Sequence, residues 1–196
     1  MSNGVIAEIR LFLIIFIAAF TALFIAFNAP SFMAQVSYAL DDKDTREAHL
    51  LPLVDMEDSL YIPKIGMMAP IVIEDSEDRE VLLKSLDEGV LLFPGSVEPG
   101  NIGSTVILGH SSGAIWSGGY KSVFSLINKL EKGDLVKVYF NNEEFVYRVS
   151  KLNILSVEKL DEVVGDNDGT NTLFLSSCWP IGTPWSRIVA TAILVK

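Results

Sequence analysis

The chain has 196 residues, 49% of them apolar, which is enough for one globular domain and an accessory segment but not for two full domains. Its formal net charge of -10 argues against nucleic-acid binding, because phosphate contacts need clustered Lys and Arg and the sequence has no such cluster. The single cysteine, Cys178, excludes an intramolecular disulfide, and with His49 and His110 as the only histidines it cannot complete a Cys/His metal site. We therefore expect no nucleic-acid partner, no metal and no cofactor.

The N-terminal region contains a segment that can cross a membrane. Residues 11–27 are apolar except for Thr21, and as a helix they would measure roughly 26 Å, close to the hydrocarbon thickness of a bilayer. Arg10 precedes the segment and mostly acidic residues follow at 41–44, so the positive-inside rule favours a cytoplasmic N-terminus. We predict a cytoplasmic N-terminus and transmembrane signal-anchor over residues 1–28, in a single-pass protein of the cell membrane whose remaining chain is extracytoplasmic. A cleaved signal peptide, with a small-x-small site at Ser37-Tyr38-Ala39, is the alternative.

Beyond the apolar segment the sequence changes character twice. Residues 29–58 include Pro30 and an acidic patch without a sustained helical or strand period, and they suggest an extracytoplasmic stem. Residues 59–196 carry short apolar runs separated by turn signals, with Asn141-Asn142 indicating a hairpin, and predict a mostly β domain, with a closed barrel favoured over a parallel α/β sheet. The strand-like runs are 60–65, 71–73, 105–109, 135–140, 143–155, 172–177 and 188–195, and short helices are predicted at 78–86 and 123–130.

The first motif that could carry chemistry is the pentapeptide GHSSG at residues 109–113. It matches the G-x-S-x-G nucleophile elbow of serine hydrolases, with Ser111 in the nucleophile position. In that fold an acid and then a histidine follow the serine, but no histidine follows His110 in this chain. The serine triad cannot be completed, so the histidine is the candidate residue here and the serine is not.

Cys178 is the second candidate. It ends a strand-like run and precedes a Trp-Pro pair, so we expect its thiol at the barrel rim, where a strand passes into a loop. A cysteine within a strand is usually an inert small hydrophobe, but a free thiol in an exported protein is an oxidation liability unless it is used. A nucleophilic cysteine needs a histidine and a positive group nearby, which His110 and Arg187 can supply. Arg187 opens the next strand-like run, although an ordinary surface arginine is the alternative for this position alone.

These residues, in this order, resemble the sortase family from Tyr61 to the C-terminus. The family's histidine follows a strand in a Gly-His-Ser/Thr setting, represented here by VILGHS at residues 106–111. Its cysteine ends a Thr-Leu-x-Thr-Cys motif, represented by FLSSC at residues 174–178, in which Phe174 and Ser177 replace the two threonines. The family's arginine opens the final strand, as it does here. The subclass of sortase stays open.

The resemblance implies an eight-stranded β-barrel and a cysteine transpeptidase. Such an enzyme cleaves an LPxTG-like C-terminal sorting signal of exported proteins and transfers the protein to an amine acceptor, a cell-wall precursor or a pilin lysine. Cys178 would be the nucleophile that carries the acyl-thioester, His110 the general acid and base, and Arg187 the oxyanion or substrate stabiliser. Further candidates for substrate binding are Ser177, Trp179, Trp185 and Trp116.

Two interpretations from other classes remain open. An L,D-type peptidoglycan transpeptidase normally has its arginine close behind the cysteine, where this chain has Pro180. A non-catalytic, membrane-anchored β scaffold or adhesion module would require an inert Cys178, so thiol reactivity separates the classes. An acidic segment at residues 161–169 has oxygen ligands at the short spacing that suits calcium, although a solvated loop is the simpler interpretation.

Overall fold

The computed structural model describes residues 3–40, 58–114, 119–159 and 169–196 of the chain. Three short 3-10 helices, Pro63–Ile65, Ile127–Lys129 and Val157–Lys159, lie between the longer elements of these ranges. The longer elements are helix α1 (Asn3–Leu40), strands β1 (Ser59–Ile62) and β2 (Met67–Ile73), helix α2 (Arg79–Ser85), and strands β3 (Val90–Leu92), β4 (Gly103–Leu108), β5 (Leu135–Phe140), β6 (Glu143–Leu155), β7 (Asn171–Trp179) and β8 (Ser186–Leu194).

The strands close into one barrel. Their order around it is β1-β2-β3-β4-β7-β8-β6-β5, and β5 pairs with β1 to complete the circle. The pairs β2–β3 and β4–β7 are parallel, and the other pairs are antiparallel. The eight-stranded, mostly β barrel expected from the sequence is confirmed.

Alternating side chains fill the barrel. In β5 the residues Val136, Val138 and Phe140 are buried, while the residues between them are half-buried. The same period places Leu173 and Leu175 of β7 in the interior. Because side chains of a strand point to opposite faces in turn, one set of each strand lies inside and the other set on the outer face of the barrel. Full burial of each large aliphatic side chain contributes roughly 1.5–3 kcal/mol.

Two local signals gave the expected structures. Asn141 (φ 51°) and Asn142 (φ 64°) form the tight turn between β5 and β6, with both residues in the left-handed region that asparagine tolerates. Asp78 caps α2, because its carboxylate accepts hydrogen bonds from the backbone N–H groups of Glu80 (2.8 Å) and Val81 (3.3 Å). The predicted hairpin and the helix at 78–86 are therefore confirmed.

Two other elements differ from the expectation. Strand β3 was missed because it has only three residues, all buried, and so offers neither the length nor the alternation that indicates a strand. The segment 123–130 is not an α-helix. Its backbone bonds join each residue to the third one before it, as in Ile127 N to Phe124 O (3.2 Å) and Lys129 N to Leu126 O (2.9 Å), which is the 3-10 pattern.

Helix α1 continues well past the apolar run. The sequence shows no helical period after Asn28, yet the helix extends to Leu40, so the first part of the expected stem is helical. The stem boundary itself stays a prediction. Tertiary contacts stabilise this part of the helix, because residues 28, 31, 35 and 38 lie at helical spacing and contact the barrel domain. Of the described helices, α1 alone is long and apolar enough to cross a membrane.

The barrel contacts of α1 lie mainly on the segment that follows β4. The Ser31 hydroxyl donates a hydrogen bond to the Ser111 carbonyl (2.9 Å), and the Gln35 amide donates one to the Ser125 carbonyl (2.6 Å). Tyr38 packs against the barrel core. These contacts fix α1 beside the end of β4.

Candidate active site

Three adjacent strands bring the predicted catalytic residues together. In the parallel pair β4–β7, Leu108 lies opposite Ser176, so continuing both strands by two residues sets His110 beside Cys178. In the antiparallel pair β7–β8, Cys178 lies directly opposite Arg187. Neighbouring strands are about 4.8 Å apart, so the three residues form a short row across the rim of the barrel.

The row lies on the outer face of the barrel. Leu173 and Leu175 of β7 point into the core, whereas Phe174 belongs to a separate outer cluster with Val106 of β4 and Val189 of β8. Cys178 is four residues after Phe174 and therefore shares its face, and the same alternation applies to the histidine and the arginine. The Cys178 thiol is free and half-buried. An extended peptide laid across this face would meet all three residues.

The backbone on both sides of His110 is held in place by close packing. Ser177 is 3% exposed, and its hydroxyl donates a hydrogen bond to the Gly109 carbonyl (2.7 Å), which ties β7 to the end of β4. The backbone N–H of Phe124 donates to the His110 carbonyl (2.9 Å). A Cβ at Gly109 would overlap the Phe124 ring, so only glycine fits this position without a shift. The peptide that carries the histidine is thus fixed from both sides.

A carboxylate that the sequence analysis missed lies beside the histidine. Asp87 Oδ1 is 3.4 Å from His110 Nε2, and Asp87 Oδ2 is 2.9 Å from Lys121 Nζ. The pKa of His110 lies below its usual value, mainly because burial disfavours the charged imidazolium. The negative charge of Asp87 opposes this shift, and the positive charge of Lys121 adds to it. Asp87 therefore both orients the imidazole and offsets part of the cost of charging it. No sequence motif signals Asp87, because it lies in the turn before β3 in a chain with 25 acidic residues.

Arg187 is anchored to its own loop. Its NH1 group donates to the carbonyls of Pro184 (3.3 Å) and Ser186 (3.1 Å). A guanidinium carries five N–H donors in a planar fork, so these two bonds at one nitrogen orient the group without using its whole donor capacity. The arrangement suits a fixed cationic donor next to the thiol.

The remaining predicted residues have different surroundings. Trp179 is half-buried and packs against the barrel core, whereas Trp185, in the loop before β8, is 75% exposed. Trp116 lies outside the described residues, so its predicted role in substrate binding stays a prediction. The acidic segment considered for calcium is also outside them, apart from Gly169. Within the ranges that the structure describes, no group of three or more His, Cys, Asp or Glu residues could hold a metal ion.

Comparison with protein families decides the identity of this barrel. The family model described as the Sortase domain matches residues 60–195. The chain belongs to the sortase family. Sortases are cysteine transpeptidases that act on protein substrates, and the resemblance identified from the sequence is confirmed.

Individual relatives agree with this assignment. Sortase D of Bacillus subtilis (strain 168) is 28% identical over 121 residues, which cover 62% of this sortase and 53% of that relative, so the chain spans about half of that protein's length. Among solved structures, sortase C-1 from Actinomyces oris superposes with a TM-score of 0.61 at 23% identity, covering 76% of this chain and 80% of that one. Sortase A from Corynebacterium diphtheriae gives 0.60 at 22% identity, covering 72% and 61%. The structural matches share the fold with this sortase, and they include more than one subclass.

Proposed function

We propose that this sortase is an active transpeptidase that cleaves an LPxTG-like C-terminal sorting signal of exported proteins and transfers the protein to an amine. The observation that carries the proposal is the row formed by Cys178, His110 and Arg187 on one face of three adjacent strands. A nucleophile, a proton donor and a permanent cation are the groups that acyl transfer through a thioester needs. The acceptor amine belongs to a cell-wall precursor or to a pilin lysine.

In the first half-reaction the Cys178 thiolate attacks the carbonyl carbon of the scissile peptide bond. A C–S bond forms, and the carbonyl oxygen becomes an oxyanion that accepts a hydrogen bond from Arg187. As the C–N bond breaks, the His110 imidazolium gives its proton to the departing amine. The N-terminal part of the substrate is left as a thioester on the cysteine.

In the second half-reaction an amine attacks the thioester carbonyl. The amine loses a proton to His110, the C–S bond breaks, and the product carries a new amide bond. The cysteine leaves as a thiolate beside a protonated histidine, which is the pair that began the cycle. No further reactant is consumed.

The neighbours of this row support the mechanism. Burial holds the pKa of His110 below its usual value, and Asp87 opposes that shift toward the imidazolium form that the first half-reaction requires, so we assign Asp87 as a positioning residue for His110. The burial of Ser177 and its bond to the Gly109 carbonyl support a positioning role for this serine as well. Trp179 directly follows the nucleophile, but its half-buried ring packs against the barrel core, so its role in substrate binding stays a prediction.

We also propose that the sortase is a single-pass protein of the cell membrane. In this proposal residues 1–28 form the cytoplasmic N-terminus and anchor, residues 29–58 the stem, and residues 59–196 the extracytoplasmic catalytic domain. The support is the apolar surface of α1, whose side chains between Leu11 and Phe27 are largely exposed and are not covered by the barrel. In this orientation the active site lies on the outer side of the membrane, where it can meet exported proteins.

The test uses the full-length protein in lipid nanodiscs with a quenched library of LPxTG-like peptides and an amine acceptor. We expect cleavage and amine-dependent ligation by the wild type, neither activity by Cys178→Ala, and an acyl adduct on Cys178 in the intact mass when the acceptor is left out. Cleavage without ligation to any amine would contradict the transfer step. Intact peptides together with a Cys178 that fails to react with a thiol probe would contradict the catalytic assignment.

A further inference from the structure

The loop between β7 and β8 touches α1 at the end of the apolar run. That run ends at Phe27, and the next residue, Asn28, is only 5% exposed. Gly182 of the loop lies so close to it that a Cβ on the glycine would overlap the Asn28 amide oxygen. The loop, residues 180–185, is therefore held at the level where the chain would leave the hydrocarbon layer of a membrane.

The composition of this loop suits the boundary of a bilayer. Its sequence, PIGTPW, contains no charged residue, although charged residues make up 20% of the chain. Trp185 at its end is 75% exposed, an unusual state for so large an apolar side chain. Tryptophan is enriched at membrane–water interfaces, where its ring meets the acyl boundary and its N–H reaches the headgroups.

Just beyond this level, α1 presents a second exposed apolar surface. Phe32 (45% exposed) and Met33 (65% exposed) lie one to two helical turns beyond the run, away from the side on which Ser31 and Gln35 bind the barrel. At 1.5 Å per residue they lie roughly 8–9 Å along the helix from Phe27, near the outer part of the headgroup layer. Exposed apolar side chains at this depth are costly in water and favourable in the interface.

We propose that the loop 180–185 is a membrane-contact element whose Trp185 inserts into the headgroup layer of the bilayer that α1 crosses. The proposal rests on the proposed anchoring by α1. Trp185 is three residues from Gly182, so it lies within roughly 10 Å of the membrane boundary even with the loop fully extended. This proposal assigns Trp185 to lipid contact, in place of the substrate binding expected from the sequence.

This contact fixes the height of the active site. Cys178 and Arg187 flank the loop on β7 and β8, so a loop seated in the headgroups holds the catalytic row at the membrane surface.

The experiment uses the full-length sortase in vesicles of phosphatidylcholine and phosphatidylglycerol. One variant, Trp116→Phe with Trp179→Phe, leaves Trp185 as the only tryptophan, and the matched control, Trp116→Phe with Trp185→Phe, leaves Trp179. We expect lipids brominated near the headgroup to quench Trp185 emission at least threefold more than Trp179 emission. Lipids brominated near the bilayer centre should quench Trp185 less than the shallow ones do.

A second pair of variants keeps the test valid if a tryptophan replacement unfolds the barrel. In a Cys178→Ala background, a spin label is attached at Trp185→Cys or at Ile102→Cys, a residue that is 71% exposed and precedes β4 at the end away from His110. The label at 185 should collide mainly with oxygen dissolved in lipid, and the label at 102 mainly with a water-soluble nickel chelate. Protein that floats with the vesicles but shows Trp185 and its label exposed to water would overturn the contact alone. Protein that fails to float would overturn the anchoring by α1 and the contact with it.

Discussion

Gly109 is the position where a single methyl group should disturb the catalytic site most. In Gly109→Ala the new methyl overlaps the ring of Phe124, which is 0% exposed and has no space to retreat. Overpacking of this kind costs about 1–3 kcal/mol, or a Tm lower by roughly 2–4 °C per kcal/mol for a domain of this size. The strained peptide carries His110, and a displacement of about 1 Å at a catalytic group lowers kcat on the order of 100-fold.

A double-mutant cycle isolates this overlap. Phe124→Leu alone should cost about 1 kcal/mol, because it removes part of a buried ring but leaves an apolar side chain. Combined with Gly109→Ala, it makes room for the methyl, so the double variant should be no less stable than Gly109→Ala alone and should recover kcat. Thermal unfolding and peptide cleavage by the full-length protein measure both quantities. Additive losses within about 0.5 kcal/mol would refute the reasoning, since they would mean that the two side chains do not compete for space.

The charges around His110 predict opposite pH responses. Burial lowers the pKa of His110, Asp87 raises it and Lys121 lowers it. Because the protonated histidine is the proton donor, Asp87→Asn should move the alkaline limb of the kcat/KM profile to lower pH, and Lys121→Gln should move it to higher pH. Shifts in the same direction would contradict this assignment. Arg187→Lys loses the planar fork, and we expect kcat/KM to fall roughly 100-fold with an unchanged Tm; a parallel fall in Tm would indicate a structural role. Ser31→Ala removes a hydrogen bond between α1 and the barrel, so amide exchange in residues 32–40, followed by mass spectrometry, should accelerate about fivefold. Unchanged exchange would mean that the other contacts hold the helix alone.

The placement of Cys178, His110 and Arg187 in one row could be predicted because each of them lies at or just beyond a strand end. Cys178 and Arg187 lie on the two strands of one β-hairpin, and His110 follows β4, the parallel neighbour of β7. The strand pairs then place all three on one face with no further assumption. The barrel itself follows from turn signals and short apolar runs. These local patterns predict the strands correctly because the apolar residues that form each pattern are also the residues whose burial stabilises the strand.

Asp87 and the docked part of α1 could not be predicted, because both depend on long-range pairing. Leu91 pairs with Leu108, and this register brings the turn before β3 to the residues after β4. Asp87 becomes a partner of His110 only through that pairing. The helical state after Asn28 likewise depends on contacts with residues 80 or more positions away, as in the bond from Ser31 to Ser111.

The position of β8 bears on the order in which the barrel assembles. This strand lies between β7 and β6, and it forms a ladder with each of them. Because β8 follows β6 and β7 in the chain, those two strands are made first, and each carries a row of unpaired N–H and C=O groups until β8 pairs with them. Insertion of β8 covers both rows at once and sets Arg187 opposite Cys178 in the same event. Before β8 pairs, the chain therefore exposes two strand edges that can pair with other chains, and Arg187 is not yet beside Cys178. The same strand closes both edges and completes the row of three residues.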